Sequence, residues 1–90
     1  MNKHPTTVAA YHGNLKQLAE DIGNLRYDAL QELLDHLSQK MFRDATADTG
    51  RGRHRLAKSL RGTGEGLRDA MYGAAEAWKI SKPYMYPPAS

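Results

Sequence analysis

Between Leu15 and Met41 an apolar side chain returns every third or fourth residue, the repeat that aligns side chains on one face of an α-helix. The members of this stripe are Leu15, Leu18, Ile22, Leu25, Ala29, Leu33, Leu37 and Met41. Asn14 stands just before the stripe, where an N-cap residue is expected. The pattern predicts one amphipathic helix over residues 14–46.

This first helix has a wide apolar face. Leu30, Leu34 and Phe42 broaden the stripe on one side, so it exceeds the narrow seam of a coiled coil. Gly23 lowers helix stability by only about 1 kcal/mol relative to alanine, and the segment contains no proline. We therefore expect the helix to be continuous, with an apolar stripe wider than one neighbouring helix can cover.

The second half of the chain is rich in glycine, and two interpretations compete. In one, a short helix ends at Gly62 and another begins near Gly64. In the other, one helix spans residues 53–81. Small residues step by three and four along the segment, which favours a single helix whose glycines serve packing. They are Ser59, Gly62, Gly66, Ala70, Gly73 and Ala77.

A line of larger residues runs beside the small ones, again at helical spacing. It comprises Leu56, Leu60, Leu67, Met71, Ala74 and Trp78. A row of small residues allows close approach of a neighbouring helix. We expect the leucines of the first helix to fill this glycine and alanine groove, with the residues around Gly66 close to Leu25.

The two ends of the chain are predicted to be nonhelical arms. Residues 1–13 contain Pro5 and Gly13 around a short apolar patch, and they form an N-terminal arm. Pro83 disfavours helical geometry at Lys82, so the helix should end there. Residues 82–90 then form an extended tail of prolines and tyrosines. We expect both arms to pack near the open end of the helical pair.

Length and composition limit the class of protein. Ninety residues make one domain, and a hairpin of two helices is marginally stable alone. The chain lacks cysteine, so disulfides and thiolate metal sites are excluded, and a reducing compartment fits. It has neither a signal-peptide pattern nor an apolar run of about 18 residues. We therefore expect a cytoplasmic protein that does not enter the membrane.

Charge is unevenly distributed along the chain. Residues 14–45 carry six acidic and four basic residues, net −2, whereas residues 46–68 carry six basic and two acidic residues, net +4. The basic cluster comprises Arg51, Arg53, His54, Arg55, Lys58 and Arg61. Such a cluster at a helix start suits nucleic acid or another polyanion. The alternative is a surface turn whose cations pair with Asp44 or Asp48.

Aromatic residues gather near the C-terminus. In an antiparallel pair of helices, Trp78, Tyr84 and Tyr86 would lie at the open end, near Leu15. They would either close that end as a structural cap, with Tyr11 as a neighbour, or form a partner-binding motif.

Catalytic and metal-binding patterns are weak. The four histidines, His4, His12, His36 and His54, lack the spacing of a zinc site. The glycines at 62, 64 and 66 follow no strand, so they do not form a phosphate loop. We expect a noncatalytic protein without metal or cofactor.

The predicted architecture is all-α: a long antiparallel helical hairpin (14–46 and 53–81) joined by a basic turn (47–52), with extended terminal arms. If the arms cover the surplus apolar surface the protein is a monomer; otherwise two hairpins pair as a four-helix bundle, which we favour. The predicted function is a noncatalytic protein-protein interaction module, a small adaptor or regulator. The alternatives are a nucleic-acid or other polyanion binder acting through the basic turn, and a subunit of a larger assembly.

Overall fold

The structure, a computed structural model, describes residues 4–85. Three α-helices make up its regular structure: α1 (Leu15–Gly23), α2 (Tyr27–Gly50) and α3 (His54–Met85). No strand occurs in this part of the chain, which confirms the all-α prediction.

The single helix predicted over residues 14–46 is wrong, because the chain breaks after Gly23. Asn14 caps α1 as predicted, in a capping box with Gln17. At the other end the amide of Leu25 bonds the carbonyl of Ile22 at 3.0 Å, which tightens the last turn. Arg26 then has ψ 141°, an extended geometry that no helix can contain. Gly23 and Asn24 are both poor helix formers, and together they outweigh the apolar repeat.

The turn between α2 and α3 is shorter than predicted and lies at residues 51–53 rather than 47–52. Gly52 has φ +77°, the left-handed conformation that glycine adopts without strain. The amide of Gly52 bonds the carbonyl of Thr49 at 3.0 Å, and the amide of Arg53 bonds that of Asp48 at 2.8 Å. These two bonds form a Schellman motif directly after Gly50, so α2 ends at Gly50 and not near Thr46.

Helix α3 is continuous through Gly62, Gly64 and Gly66, as the single-helix interpretation predicts. It also continues past residue 81 and contains Pro83, so the predicted helix end at Pro83 is wrong. A proline removes the hydrogen bond of its own amide, and here only the last turn follows it. The steric effect of Pro83 on the backbone of Lys82 disfavours helical geometry there but does not exclude it. The rest of the predicted tail, residues 86–90, lies outside the described residues.

Helices α2 and α3 pack antiparallel. Asp48 and Arg53 meet at the turn, Phe42 meets Gly64 further along, and Arg26 at the start of α2 lies against Trp78 late in α3. The buried residues along the contact are small or polar: Ser38, Ala45 and Asp48 from α2, and Ala57, Gly64 and Ala74 from α3. In the described chain, the largest side chain that is almost completely buried is that of Ser38.

The predicted groove of small residues does not face α2. Gly62, Gly66 and Gly73 are exposed, and a Cβ atom added to any of them would meet no atom within 4 Å. The glycine that permits close packing is Gly64, where an added Cβ would lie 2.9 Å from Phe42 Cε1. The predicted proximity of Gly66 to Leu25 is therefore wrong. Instead of that groove, the Phe42 ring of α2 packs against Gly64 of α3.

The molecule is elongated, measuring 60 × 28 × 15 Å. Its radius of gyration is 16.5 Å, whereas a compact chain of this length has one of about 12 Å. Its accessible surface is 7227 Å², while a folded monomer of this mass exposes about 5,200 Å². The chain thus exposes about 2,000 Å² more than a self-contained domain would.

Candidate functional site

Asp48 organises the basic turn. It is only 7% exposed, and its Oδ1 lies 3.4 Å from Arg51 Nη1 and 3.5 Å from Arg53 Nη1. A buried carboxylate is tolerated only with such partners. The structure therefore places two of the predicted polyanion-binding arginines beside an acid of their own chain, as the surface-pairing alternative anticipated.

The other members of the basic cluster remain available. His54, Arg55, Lys58 and Arg61 are all exposed at the start of α3. Among the described residues none of them forms an ion pair or a side-chain hydrogen bond. The cations Arg55, Lys58 and Arg61, with the imidazole of His54 beside them, could therefore contact an external anion more readily than Arg51 and Arg53.

A cleft of about 570 Å³ lies next to the turn, between α2 and α3. Met41, Leu56 and Leu60 contribute apolar lining. The charged lining residues are largely paired within the chain: Lys40 Nζ lies 2.6 Å from Asp44 Oδ1, and Asp48 holds its two arginines. The cleft thus combines an apolar part, lined by Met41, Leu56 and Leu60, with charged side chains that pair within the chain.

The apolar lining of the cleft continues along α2. Leu37 and Leu33 precede Met41 by one and two helical turns, so they lie on the same side of the helix. Together Leu33, Leu37, Met41, Leu56 and Leu60 form what we call the apolar face. Leu37 is 41% exposed and Leu56 is 45% exposed, although both are large aliphatic residues.

The sequence indicated this apolar face only indirectly. The stripe of the first helix was wider than one neighbour can cover, but which of its residues stay exposed depends on how the hairpin is rotated. The packing of the Phe42 ring against Gly64 fixes how the two helices are rotated about their axes. The spacing of apolar residues in the sequence does not identify this contact.

Trp78 lies at the open end of the hairpin, opposite the turn. The guanidinium carbon of Arg26 lies 5.2 Å from the centre of its ring, and Lys82 Nζ lies 6.0 Å from it. Arg26 also donates two hydrogen bonds to Asp28, at 2.6 and 2.7 Å. These bonds hold the pKa of the Asp28 carboxyl below its ordinary value. Trp78 therefore connects the start of α2 to the end of α3.

Of the other two predicted aromatic residues, only Tyr84 lies within the described part of the chain. Tyr84 belongs to α3 and is 82% exposed, so the cap interpretation is wrong for this residue. Tyr86 lies outside the described residues. Tyr72 and Ile80, which the sequence did not single out, are exposed large residues elsewhere on α3.

The N-terminal arm runs to the turn and not to the open end. His4 lines the cleft together with Arg51 and Arg53, which contradicts the predicted position of this arm. Closer to α1, the hydroxyl of Tyr11 donates a hydrogen bond to a carboxylate oxygen of Asp21. This bond raises the pKa of the Tyr11 phenol above its ordinary value.

Other classes of site find no support in the described chain. Residues 4–85 contain no cluster of three or more histidine and carboxylate side chains able to hold a metal ion. Nor does any helix there combine the length and apolar character needed to cross a membrane. A second, more open depression on the acidic side of α2, beside Met71, is lined by Asp28, Gln31, Glu32 and Asp35.

Comparison of the chain with protein-family models, with curated proteins and with solved structures found no match in any of the three.

Proposed function

We propose that this protein is a noncatalytic interaction module, a small helical adaptor or regulator that presents an apolar helix face and a basic turn to another macromolecule. The observation that supports the proposal is the exposure of Leu37 and Leu56 beside the apolar part of the cleft. Contiguous exposed apolar surface on a small domain marks a place where another molecule binds.

The marginal packing of the hairpin supports the same proposal. Since most buried residues between α2 and α3 are small, the hairpin gains little of the hydrophobic stabilisation that large buried side chains provide. A partner covering the apolar face would supply what the chain lacks.

The proposal of a noncatalytic role is supported by the charges around the cleft. Lys40, Asp44 and Asp48 are engaged in ion pairs, which stabilise the fold rather than activate a nucleophile. We place the protein in the cytoplasm as part of the proposal, because a chain without cysteine suits a reducing compartment.

Affinity capture from a lysate of the source organism tests the proposal. Three baits are compared: the wild type, Leu37→Asp/Leu56→Asp on the apolar face, and Tyr72→Asp as a matched control at an exposed apolar residue elsewhere. We expect proteins retained by the wild type and the control to be lost from the double variant, with unchanged helix content by circular dichroism. Identical capture by all three baits, or none above background, contradicts the proposal.

A second candidate function is binding of nucleic acid or another polyanion. The observation that favours it is the exposure of Arg55, Lys58 and Arg61 without an acidic partner among the described residues. Three cations on consecutive turns of one helix can contact successive phosphates.

Fluorescence anisotropy with labelled DNA and RNA tests this second function. The wild type should bind at low salt, with a log–log salt slope of about −0.9 per phosphate contact to duplex DNA. Arg55→Gln/Lys58→Gln/Arg61→Gln should lose most of the affinity, whereas Lys16→Gln/Lys79→Gln, with exposed cations distant from the turn, should retain it. Failure of the wild type to bind either nucleic acid at low salt excludes nucleic acid as the ligand.

A further inference from the structure

Charge is divided along the length of the hairpin. Since Phe42 lies opposite Gly64 and Arg68, residues 40–68 form the half nearer the turn. That half carries eight basic and three acidic residues, net +5. The open-end half, residues 14–39 and 69–85, carries four basic and seven acidic residues, net −3. Each molecule is therefore an elongated rod with oppositely charged halves.

The same division appears on the outer edge of α3. Lys58 and Glu76 are separated by about five helical turns and so point in the same direction, and Asp69 lies close to that line. Arg55 neighbours Lys58 one turn away. All four side chains are exposed, and among the described residues none of them forms an ion pair.

We propose that the apolar face binds a second copy of this chain, in an antiparallel arrangement that forms a four-helix bundle. A two-fold axis crossing the hairpins near Leu37, close to the middle of α2, places the turn half of each copy on the open half of the other. The same axis stacks α3 on α3 in opposite directions. Because Phe42 lies opposite Gly64, Leu37 is level with about residue 69 of α3. Asp69 therefore lies near the axis, and Lys58 of each copy lies closest to Glu76 of the other.

The exposed area agrees with a partner of this size. The chain exposes about 2,000 Å² more than a compact monomer of its mass. Covering half of that excess on each copy would bury about 2,000 Å² in total, the size of a stable homodimer interface. The proposal rests on the proposed role as an interaction module, and it names the first partner of the apolar face.

Sedimentation equilibrium of the wild type over about a hundredfold range of concentration is the first test. We expect a dimer that dissociates on dilution and that weakens as salt rises from about 0.05 to about 0.5 M, because opposite charges face each other. A monomer throughout the range overturns the proposal. A dimer that is insensitive to salt or strengthened by it also overturns it, since a parallel pair would bring like charges together.

Exchange of charges is the second test. Arg55→Glu/Lys58→Glu and Glu76→Lys should each weaken self-association at low salt, since both create repulsion between the halves. An equimolar mixture should recover dimers that contain one copy of each variant, detected by native mass spectrometry because the two masses differ. Recovery shows that both variants fold. If neither variant weakens association, or if the mixture recovers nothing while circular dichroism shows both folded, the proposal fails.

The two proposals fail separately. A monomeric wild type that still captures proteins through Leu37 and Leu56 excludes the homodimer and keeps the interaction module. A dimer whose baits capture nothing keeps the homodimer and excludes an adaptor role for this chain.

Discussion

At the scale of single residues, glycines on the same helix have opposite roles. Gly64 lies against the Phe42 ring, whereas Gly66 faces open space. Both are helical, so alanine would improve the helix propensity of each by about 1 kcal/mol. Only at Gly64 does the added methyl group collide with a neighbour.

We predict that Gly66→Ala raises the free energy of unfolding by about 0.5 to 1 kcal/mol. Gly64→Ala should lower it by about 1 kcal/mol, because displacing an aromatic ring costs more than the propensity gain. Urea denaturation followed by circular dichroism measures both. The double variant Phe42→Leu/Gly64→Ala should lose less than the sum of its single changes. Equal effects of the two glycine substitutions would show that Phe42 moves aside without cost.

Asp48 is the second residue whose role is fixed by its contacts. Asp48→Asn removes the charge that holds Arg51 and Arg53 but keeps the shape of the side chain. We predict a loss of about 1 kcal/mol in the free energy of unfolding, since a neutral amide no longer forms the ion pairs that both arginines make with the nearly buried carboxylate. Thermal unfolding measures the loss. Asp44→Asn, at a more exposed ion pair with Lys40, is the matched control and should change stability less.

At the scale of elements, the apolar repeat predicted helices and their direction of packing but not their ends. The helix end at Gly23 depends on a balance. Gly23 and Asn24 disfavour the helix, whereas the apolar repeat continues past them and favours it. The continuity of α3 through its glycines depends on Leu67, Met71 and Trp78, whose spacing was visible in the sequence. The predicted turn at residues 47–52 included Gly52, but its Schellman motif and its exact bounds, 51–53, were not predicted.

The site residues were predictable to a similar degree. Composition identified the basic cluster, but it could not show that Asp48 holds Arg51 and Arg53 while Arg55 and Lys58 stay exposed. Such a division depends on side-chain geometry at the turn. Likewise, the position of the N-terminal arm beside the cleft follows from tertiary contacts that leave no periodic signal.

The N-terminal arm is tied to α1 by the hydrogen bond from Tyr11 to Asp21. The pKa of the Tyr11 phenol is raised in the folded state, so this contact stabilises the fold below the unfolded pKa, and the contribution is lost as pH rises through the folded pKa. We predict that Asp21→Asn lowers the pKa of Tyr11. Ultraviolet titration of tyrosine ionisation measures it, with Tyr11→Phe identifying the signal. An unchanged pKa would show that the arm is not held in this way in solution.

At the scale of the whole molecule, a flat hairpin with small residues in its seam has a large surface for its mass. A helix whose wide apolar stripe packs against its neighbour through a narrow seam leaves part of that stripe exposed. A further layer of structure is then needed to cover it. The N-terminal arm reaches the cleft but leaves Leu37 and Leu56 exposed. The homodimer that we propose would supply this further layer.

Substitution of Leu37 is the most direct test of whether a second copy covers the apolar face. In an isolated hairpin, Leu37→Asp at a position 41% exposed should cost little beyond helix propensity, about 0.5 kcal/mol. In the proposed dimer the same change brings two carboxylates together near the axis and removes two buried leucines. We therefore predict that the melting temperature of the wild type rises with protein concentration, and that Leu37→Asp lowers it and abolishes the concentration dependence. Leu15→Asp introduces the same residue into α1 at a position that is 58% exposed and outside the apolar face, so it should change the melting temperature little and leave its concentration dependence intact. Parallel behaviour of the two variants would mean that the apolar face is exposed in solution as it is in the single chain.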